Sequence, residues 1–280
     1  MILVTGATGN VGREVVRLLL AEGEEVAAVT RNPTSAVFPA SVRIVEGDPS
    51  HPQTLASALD GVEAIFLVPR AVGDASAELL SLAAKCGVQR VTAVSAVTVE
   101  YGGGYQRFAE AFKAVEDAAE VSGLQWTFLR CAQFMTNTLI WVPQIQGADV
   151  VRGAYGDAAV SLIHPRDIAA VGVRALLDAE HAGHAYALTG PQSLTQRDQV
   201  RIIGNAIGRN LSWQELPAEQ VRTAMISQGT PEEIPDRMLG YLAECLRQPG
   251  PSTEVVQRLL GRAPLAFAEW ATEKAGAFRN

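Results

Sequence analysis

Hydrophobic and polar positions alternate between two periods in the first half of the chain. The β-branched run at 2–4 meets a glycine-rich turn, after which apolar residues recur at helical spacing as far as Gly23. Further strands are predicted at 26–29, 42–45, 65–68, 91–94 and 126–129, and helices at 52–59, 74–86 and 106–121. The strands are near-continuous apolar runs, as expected when helices cover both faces of a sheet. The pattern predicts an α/β fold with a doubly wound parallel sheet.

The alternation loosens after Arg130. Beyond an aromatic and Met-rich segment at 134–145, the pattern predicts an edge strand at 160–163, a helix at 166–178 and a strand at 186–188. Pro165 suits the first position of that helix, and Asp167 suits its positive end. From residue 196 onward the pattern is mostly helical and is interrupted by prolines. This half is predicted to form a smaller, mostly helical lobe.

Composition and charge exclude several classes of protein. Hydrophobic residues make up 48% of the 280 residues, and no apolar run reaches the roughly 18 residues of a membrane span. The 23 basic and 30 acidic residues give a formal charge of −7, which provides no general attraction to nucleic acid or anionic membranes. We therefore expect a globular protein with neither a nucleic-acid nor a membrane partner.

The cysteines and the first residues bear on location. Cys86, Cys131 and Cys245 are odd in number, far apart and without CxxC spacing, so neither a disulfide framework nor a metal site is expected. The first residues are typical of a strand, and the apolar start is too short for a signal peptide. These features favour a cytoplasmic protein with reduced thiols.

A glycine-rich turn between the first strand and the first helix is the strongest chemical signal. It has the sequence Thr5-Gly6-Ala7-Thr8-Gly9-Asn10-Val11-Gly12. In this context glycine permits a tight turn and lets the backbone approach a pyrophosphate, while the start of the helix supplies N–H groups and a positive dipole. The alternative is a structural turn without a ligand. The setting favours a dinucleotide site.

The end of the second strand bears on which dinucleotide is bound. An NAD enzyme usually carries Asp or Glu there to hold the ribose 2′-hydroxyl, whereas this chain has Thr30-Arg31-Asn32-Pro33. A guanidinium can neutralise a 2′-phosphate. The sequence favours NADP(H) over NAD(H), and the alternative is that Arg31 is an exposed side chain without a ligand.

Loops that follow three later strands are expected at the same edge of the sheet. In open α/β folds, ligands bind at the carboxyl ends of the strands. Asp48 could accept a hydrogen bond from the adenine amine, or could simply form a turn. The pairs Val68-Pro69 and Ser95-Ala96 could line the ribose and nicotinamide.

Several segments together resemble one family. The matching pieces are the motif at 5–12, Thr-Arg-Asn-Pro at 30–33, Glu116, Ser-Gly-Leu at 122–124, Thr-Phe-Leu-Arg at 127–130, Phe-Met-Thr-Asn at 134–137, Pro-Arg-Asp-Ile-Ala at 165–169 and Leu-Thr-Gly-Pro at 188–191. The chain resembles the NmrA-like branch of the atypical short-chain dehydrogenases/reductases, including its quinone reductases. That branch contains both reductases and cofactor-sensing regulators.

The resemblance implies a Rossmann-type domain that binds NADP(H) and a small C-terminal lobe that closes over a cleft. We assign residues 1–132 and 160–180 to the dinucleotide-binding domain, and 133–159 and 181–280 to the substrate-binding lobe. By the same resemblance, the pyrophosphate is held by Gly6, Thr8, Gly9, Asn10 and Val11, the 2′-phosphate by Arg31, and the nicotinamide is approached by the segment Ala132-Gln133-Phe134.

The usual proton relay of this superfamily is absent from the sequence. Catalytic short-chain dehydrogenases carry Tyr and Lys four residues apart on one helix, where the tyrosine gives or takes the substrate proton. Counting back from segment 116–130, these positions fall on Phe108 and Phe112. Lys113 is one residue later, about 100° round the helix. The resemblance therefore supports the cofactor but not the usual relay.

Three substitutes for the relay can be considered. Tyr105 lies eight residues before Lys113, which places the two side chains about 80° apart on the same side of a helix. His164 could donate a proton near neutral pH, and Gln133 could hydrogen-bond the carboxamide or a substrate carbonyl. For each of these residues, an ordinary packing or surface role is the alternative.

The sequence supports two hypotheses about function. The first is an NADP(H)-dependent oxidoreductase that transfers hydride to a quinone, a conjugated ketone or an aromatic polyketide-like compound. The second is a non-catalytic redox sensor that acts through a protein partner. For the enzyme we expect a small, flat, apolar substrate, and a homodimer is left open. Aromatic and Met residues either line a cavity for that substrate or fill a core, namely Phe134, Met135, Trp141, Trp213, Met225, Met238, Tyr241 and Trp270.

Overall fold

The computed structural model describes residues 1–101 and 106–279, without the side chains of residues 106–108. The chain forms two compact units. Unit 1 comprises Met1–Val99, Glu110–Cys131 and Pro165–Ala187, and unit 2 comprises Glu100–Ala109, Ala132–His164 and Leu188–Asn280.

The strands and helices are as follows. The strands are β1 (Ile2–Val4), β2 (Val26–Thr30), β3 (Arg43–Glu46), β4 (Ala64–Leu67), β5 (Arg90–Ala96), β6 (Gln125–Cys131), β7 (Gln133–Phe134), β8 (Val150–Gly153), β9 (Ala159–Ile163), β10 (His184–Leu188), β11 (Ser193–Thr195) and β12 (Ser212–Glu215). The α-helices are α1 (Gly12–Ala21), α2 (Pro69–Val72), α3 (Ser76–Lys85), α4 (Thr98–Tyr101), α5 (Gln106–Val121), α6 (Val142–Gly147), α7 (Pro165–Leu177), α8 (Gln196–Ile207), α9 (Ala218–Ser227), α10 (Glu233–Arg247), α11 (Val255–Leu260), α12 (Phe267–Glu273) and α13 (Ala275–Arg279). Single 3₁₀ turns or helices cover Pro33–Ser35, Pro52–Leu59, Gly73–Ala75, Met135–Trp141 and Ala179–His181.

Unit 1 is built on a seven-stranded sheet with the order β10-β6-β5-β4-β1-β2-β3. Pairing is parallel from β3 through to β6. In the centre of the sheet, Leu3 of β1 lies opposite Ala27 of β2 and Ile65 of β4. The predicted doubly wound parallel fold is confirmed. Carboxyl ends of these strands therefore meet at one edge, where ligands bind in such sheets.

Helices cover both faces of this sheet. On one face, apolar residues of α3 and α5 join the strands in a single core. On the other face α1 packs against α7, and Gly172 of α7 allows close approach, because an added Cβ would lie 2.6 Å from Phe66 of β4. The strands β1, β2, β4 and most of β5 are accordingly buried on both sides, which explains why their sequences do not alternate, whereas β3 at the edge of the sheet is mostly exposed.

Unit 2 contains a three-stranded sheet with the order β11-β9-β7 and a two-stranded pair formed by β12 and β8. The predicted edge strand at 160–163 is the central strand β9 of the small sheet, so the prediction of an edge position was wrong. Strand β12 falls in a region predicted to be helical, and it pairs in parallel with β8. The four residues of β12 have mixed polarity and too short a pattern to show a period, so the sequence did not predict this strand.

The two units divide the chain differently from the predicted domains. Glu100–Ala109 and Ala132 fall in unit 2 rather than with residues 1–99, and two further segments are exchanged between the units. Residues 160–163 belong to unit 2 because β9 pairs with β7 and β11. Residues 181–187 belong to unit 1 because β10 adds to the large sheet beside β6. Strand pairing across long sequence separations decides both exchanges.

The helix predicted at 52–59 is present as the 3₁₀ helix Pro52–Leu59. Within the described residues, no helix is both long and apolar enough to span a membrane.

Candidate functional site

The turn between β1 and α1 is closed by its first and last glycines. Gly6 has φ +61°, a left-handed conformation that glycine adopts without strain. A Cβ added to Gly12 would lie 2.2 Å from the carbonyl oxygen of Gly6 and 2.8 Å from Cα of Ala7. The start of α1 is therefore pressed against the turn, and only glycine fits there.

The middle of this turn faces solvent. Thr8, Gly9 and Asn10 are exposed, and the turn is held by a 2.9 Å hydrogen bond from the Gly9 N–H to the Gly6 carbonyl. Val11, at the start of α1, provides no side-chain cap for the helix. Uncapped N–H groups and the helix dipole make this end attractive to an anion. The turn has the features of a cradle for a pyrophosphate.

Thr5 ties the turn to the neighbouring strand β4. Its N–H and its hydroxyl both donate to the carbonyl of Phe66, at 3.0 and 3.2 Å, and the hydroxyl accepts from the N–H of Val68 at 2.8 Å. Val68 lies against Gly6, whose added Cβ would be 3.1 Å from Cβ of Val68. Pro69 follows directly as the first residue of α2. Thr5 thus holds Val68 next to the turn. The sequence analysis assigned Thr5 no separate role.

Arg31 follows β2, the strand next to β1. The side chain is exposed, and its guanidinium forms no hydrogen bond or ion pair with the part of the chain that the structure describes. An unpaired guanidinium at this edge remains available to a phosphate.

Asp48 follows β3 and shapes its own loop. Its Oδ1 accepts from the N–H and the hydroxyl of Ser50, at 3.0 and 2.8 Å, and Oδ2 lies 3.4 Å from Nδ1 of His51. The hydroxyl bond from Ser50 is the main reason why the pKa of Asp48 is lowered. This geometry favours the turn-forming role that was the alternative to adenine binding.

Ser95 belongs to a buried charged network at the ends of β5 and β6. Its hydroxyl donates to Oε1 of Glu116 at 2.6 Å. Arg130 of β6 makes a two-pronged contact with the same carboxylate, through Nε at 3.0 Å and Nη2 at 2.8 Å. Glu116, on α5, is 1% exposed. The hydroxyl of Ser95 is thus occupied inside unit 1, and neighbouring Ala96 is buried opposite Cys131.

Gln133 and Phe134 form β7 in unit 2, paired with Leu162 and Ile163 of β9. Both side chains are half-buried. The Oε1 atom of Gln133 is fully buried and has no hydrogen-bond partner among the described residues. A buried acceptor without a partner is unfavourable unless a ligand satisfies it. Gln133 can therefore accept a hydrogen bond from a ligand donor.

His164 follows β9 and is 3% exposed. Its Nε2 lies 3.5 Å from a carboxylate oxygen of Glu273 at the end of α12. From the sequence, this histidine could be either a proton donor or an ordinary loop residue. Its burial beside Glu273 favours a packing role within unit 2.

The other predicted relay pair is not assembled in the described structure. Lys113, on α5, is exposed and pairs with Asp117 one turn later. Tyr105 lies outside the described residues. Phe112, which occupies the position of the usual lysine, is half-buried. Lys113 therefore already has an acidic partner on its own helix.

Most of the predicted aromatic and Met cavity residues fill the core of unit 2. Met135, Trp141 and Trp270 are buried there, and Trp213, Met238 and Tyr241 pack against them. Phe134 and Met225 are half-buried. The packing alternative explains most of the set. Composition could not separate the two roles, because a cavity lining and a core use the same residue types.

A family model described as NAD(P)H-binding matches residues 6–179. The chain belongs to the NAD(P)H-binding family. The match begins at Gly6, in the glycine turn that follows β1, includes Arg31 and ends two residues beyond α7. It agrees with the resemblance found in the sequence.

Curated relatives of this NAD(P)H-binding protein are named as reductases. It is 39% identical over 282 residues to the (4-alkanoyl-5-oxo-2,5-dihydrofuran-3-yl)methyl phosphate reductase of Streptomyces griseus, covering 99% of both chains. It is 32% identical over 291 residues to the NAD(P)H azoreductase of Xenophilus azovorans, again covering 99% of both. Family and relatives place this chain among the NAD(P)H-dependent reductases.

Solved structures share the fold. The NADPH-dependent quinone oxidoreductase of Escherichia coli, solved with NADPH, matches with a TM-score of 0.84 at 24% identity, over 98% of this chain and 99% of that one. The triphenylmethane reductase of Citrobacter sp., solved with NADP(H), matches with a TM-score of 0.82 at 21% identity, over the same shares.

Proposed function

We propose that this protein uses NADPH to reduce a small, flat, conjugated electrophile, such as a quinone, an unsaturated ketone or an unsaturated lactone. The observation that carries the proposal is the exposed glycine turn at the start of α1, which has no side-chain cap, together with the guanidinium of Arg31, which has no partner among the described residues and follows the neighbouring strand β2. This combination suits a dinucleotide with an extra phosphate.

The residues present fit such a cofactor. The turn is shaped so that a Cβ at Gly12 would collide with the Gly6 carbonyl, and this leaves backbone rather than side chains to meet the pyrophosphate. Arg31 would hold the 2′-phosphate. When bound, the reduced nicotinamide supplies a hydride. Val68 and Pro69, next to the turn, would pack against the cofactor through apolar contact.

The substrate class follows from two arguments. The relatives named above act on a dihydrofuranone phosphate and on azo compounds, and a relative 27% identical over 248 residues is named quinone oxidoreductase 2 of Escherichia coli, covering 85% of both chains. Each name describes an acceptor in which added charge can spread over a conjugated system. Such an acceptor needs less help from a proton donor than a simple ketone does. Phenylalanine at 108 and 112 is compatible with that chemistry.

Gln133 is the proposed orienting residue. Its buried Oε1, which has no partner among the described residues, can accept a hydrogen bond from an N–H or O–H group of a ligand. A glutamine does not supply a proton, so its role would be to fix the ligand in place. His164 contacts Glu273 and Lys113 contacts Asp117, so neither is assigned a role in the reaction.

The test is NADPH oxidation, followed by loss of nicotinamide absorbance, against a panel of quinones, azo dyes, butenolides and polycyclic ketones. We expect turnover with at least one conjugated acceptor and none with saturated ketones of similar size. Calorimetric titration with NADPH and NADP⁺ is run in parallel. Tight cofactor binding without turnover across the panel would argue instead for a redox sensor.

A further inference from the structure

We propose that Thr30 is a positioning residue for Arg31, and that the hydrogen bonds around it set the preference for NADPH over NADH. The inference rests on the proposed function, in which Arg31 binds the 2′-phosphate. Thr30 is the last residue of β2 and is 9% exposed, whereas Arg31, the next residue, is exposed.

The backbone of Thr30 is fixed on the side of β3. It lies opposite Glu46 in the parallel register, and its carbonyl accepts from the N–H of Gly47 at 3.1 Å. Arg31 therefore follows a strand end whose backbone is held by pairing with β3.

The side chain of Thr30 also connects to Asn32, the residue on the other side of Arg31. Its Oγ1 accepts from the N–H of Asn32 at 3.1 Å and lies 3.3 Å from the carbonyl oxygen of the same residue, to which it donates. Residues on both sides of Arg31 are thus joined through one hydroxyl. The backbone of Arg31 is held from both directions.

Asn32 is held in turn by the residues that follow it. Its carbonyl oxygen accepts from the hydroxyl of Ser35 at 3.2 Å, and its Oδ1 accepts from the hydroxyl of Thr34 at 2.7 Å. Pro33 opens the 3₁₀ turn and restricts its own φ. We call residues 30–35 the Arg31 clasp. Its three hydroxyls bond to Asn32, whereas the guanidinium of Arg31 has no partner in the part of the chain that the structure describes.

Preorganisation explains why the clasp acts on one cofactor and not on the other. An arginine loses much rotamer freedom when it binds, and a loose backbone would add to that loss. NADPH and NADH differ only in the 2′-phosphate, so a change in the placement of Arg31 affects NADPH alone. Damage to the glycine turn or to the sheet would weaken both cofactors.

The experiment compares Thr30→Val, which keeps the shape but removes the hydroxyl, with Thr30→Ser, which keeps the hydroxyl. Dissociation constants for NADPH and NADH are measured by calorimetry on the full chain. For Thr30→Val we expect the Kd for NADPH to rise about fivefold and that for NADH to stay within about twofold, while Thr30→Ser remains close to wild type. A Thr30→Val variant that weakens both cofactors equally, or neither, overturns the inference.

Arg31→Ala separates this inference from the proposed function. It should raise the Kd for NADPH about 100-fold and leave NADH unchanged, as loss of a charge-assisted contact implies. In the Arg31→Ala background, Thr30→Val should no longer alter the ratio of the two constants. If Arg31→Ala leaves the ratio unchanged, both the proposed cofactor preference and the inference fail. If it acts as expected but the Thr30 effect persists in its background, only the inference fails.

Two further variants test whether the effect is specific to the clasp and whether it can be measured if Thr30→Val fails to fold. Thr127→Val removes another buried threonine hydroxyl of unit 1, which donates to the carbonyl of His181 at 2.8 Å, and should leave the cofactor ratio unchanged. Ser35→Ala removes an exposed member of the clasp without a buried cavity, so it should fold even if Thr30→Val does not. We expect it to raise the Kd for NADPH alone, by about twofold. No change with Ser35→Ala would contradict a clasp that acts through Asn32.

Discussion

The polar groups that follow β1 and β2 in unit 1 differ from the one that follows β9 in unit 2. In unit 1, β1 and β2 end in exposed groups that face solvent, namely the middle of the glycine turn and Arg31. In unit 2, β9 ends in His164, which is buried and contacts Glu273. An exposed, unpaired group at the ligand edge of a sheet is available for binding, whereas a buried, paired one contributes to packing. Residue type alone did not reveal this difference.

A second contrast lies within one helix. Glu116 and Lys113 both belong to α5 and both form ion pairs. Glu116 is inside unit 1, joined to Arg130 and Ser95, while the Lys113–Asp117 pair lies in solvent. Removing one partner from a buried pair leaves the other charge buried without compensation. When one partner of an exposed pair is removed, water solvates the charge that remains. Contrasts of these two kinds lead to four predictions.

The largest effect is expected from Gly12→Val. The new Cβ would collide with the Gly6 carbonyl, so the turn and the start of α1 must separate. We expect a loss of stability of about 3 kcal/mol or more and the loss of measurable NADPH binding. Chemical denaturation and calorimetric titration would measure the two effects. Gly23→Ala, at the other end of α1, has φ +81° and open space, so it should cost only about 1 kcal/mol and bind normally. Normal NADPH binding by Gly12→Val would show that the turn is not the phosphate site.

Trp270→Ala is the corresponding test in unit 2. The indole is fully buried and stacks on Phe267 at 5.4 Å between ring centroids. We expect about 3 to 5 kcal/mol of destabilisation, measured by thermal or urea unfolding, because a large core side chain is removed. Turnover by the folded fraction should keep its KM. A raised KM with unchanged stability would restore the view that Trp270 lines a substrate cavity.

Glu116→Gln and Lys113→Gln compare the two ion pairs of α5. Loss of the Glu116 charge beside Arg130 should destabilise the protein by about 3 kcal/mol. Lys113→Gln should change stability by less than about 0.5 kcal/mol, and it should also leave turnover intact, since its partner is Asp117. Urea unfolding and initial rates would measure both variants. Similar stability losses for the two variants would contradict the assignment of Glu116 to a buried pair and Lys113 to an exposed one. A large loss of turnover in Lys113→Gln would show that the lysine takes part in the reaction.

The smallest effect concerns His181 in unit 1. Burial is the main reason why its pKa is lowered, and its Nδ1 lies 2.9 Å from the hydroxyl of Tyr186. Since the folded state favours the neutral ring, the unfolded state binds more protons between the lowered pKa and the ordinary value near 6.5. Stability should therefore fall as pH decreases through this window and level off below the lowered pKa. Thermal unfolding of His181→Gln should show a flatter profile over the same range, and an unchanged slope would assign the dependence to another group.

Much of unit 1 could be predicted from the sequence because its signals are local. A short apolar run, a glycine turn and a helical period identify a strand-turn-helix unit without knowledge of distant residues. The helix predicted at 106–121 has the bounds of α5, and Pro165 occupies the predicted first position of α7. Unit 2 was harder, because β12 and the central position of β9 depend on pairing between distant segments.

By itself, the sequence determined the α/β class, the location of the nucleotide turn and the argument for Arg31, because these depend on backbone conformation and on spacing over a few residues. The tertiary structure alone decided which polar groups remain available. It directed Ser95 to Glu116 and His164 to Glu273, and it left the guanidinium of Arg31 without a described partner. Availability depends on contacts between residues far apart in the chain, and no local pattern encodes them.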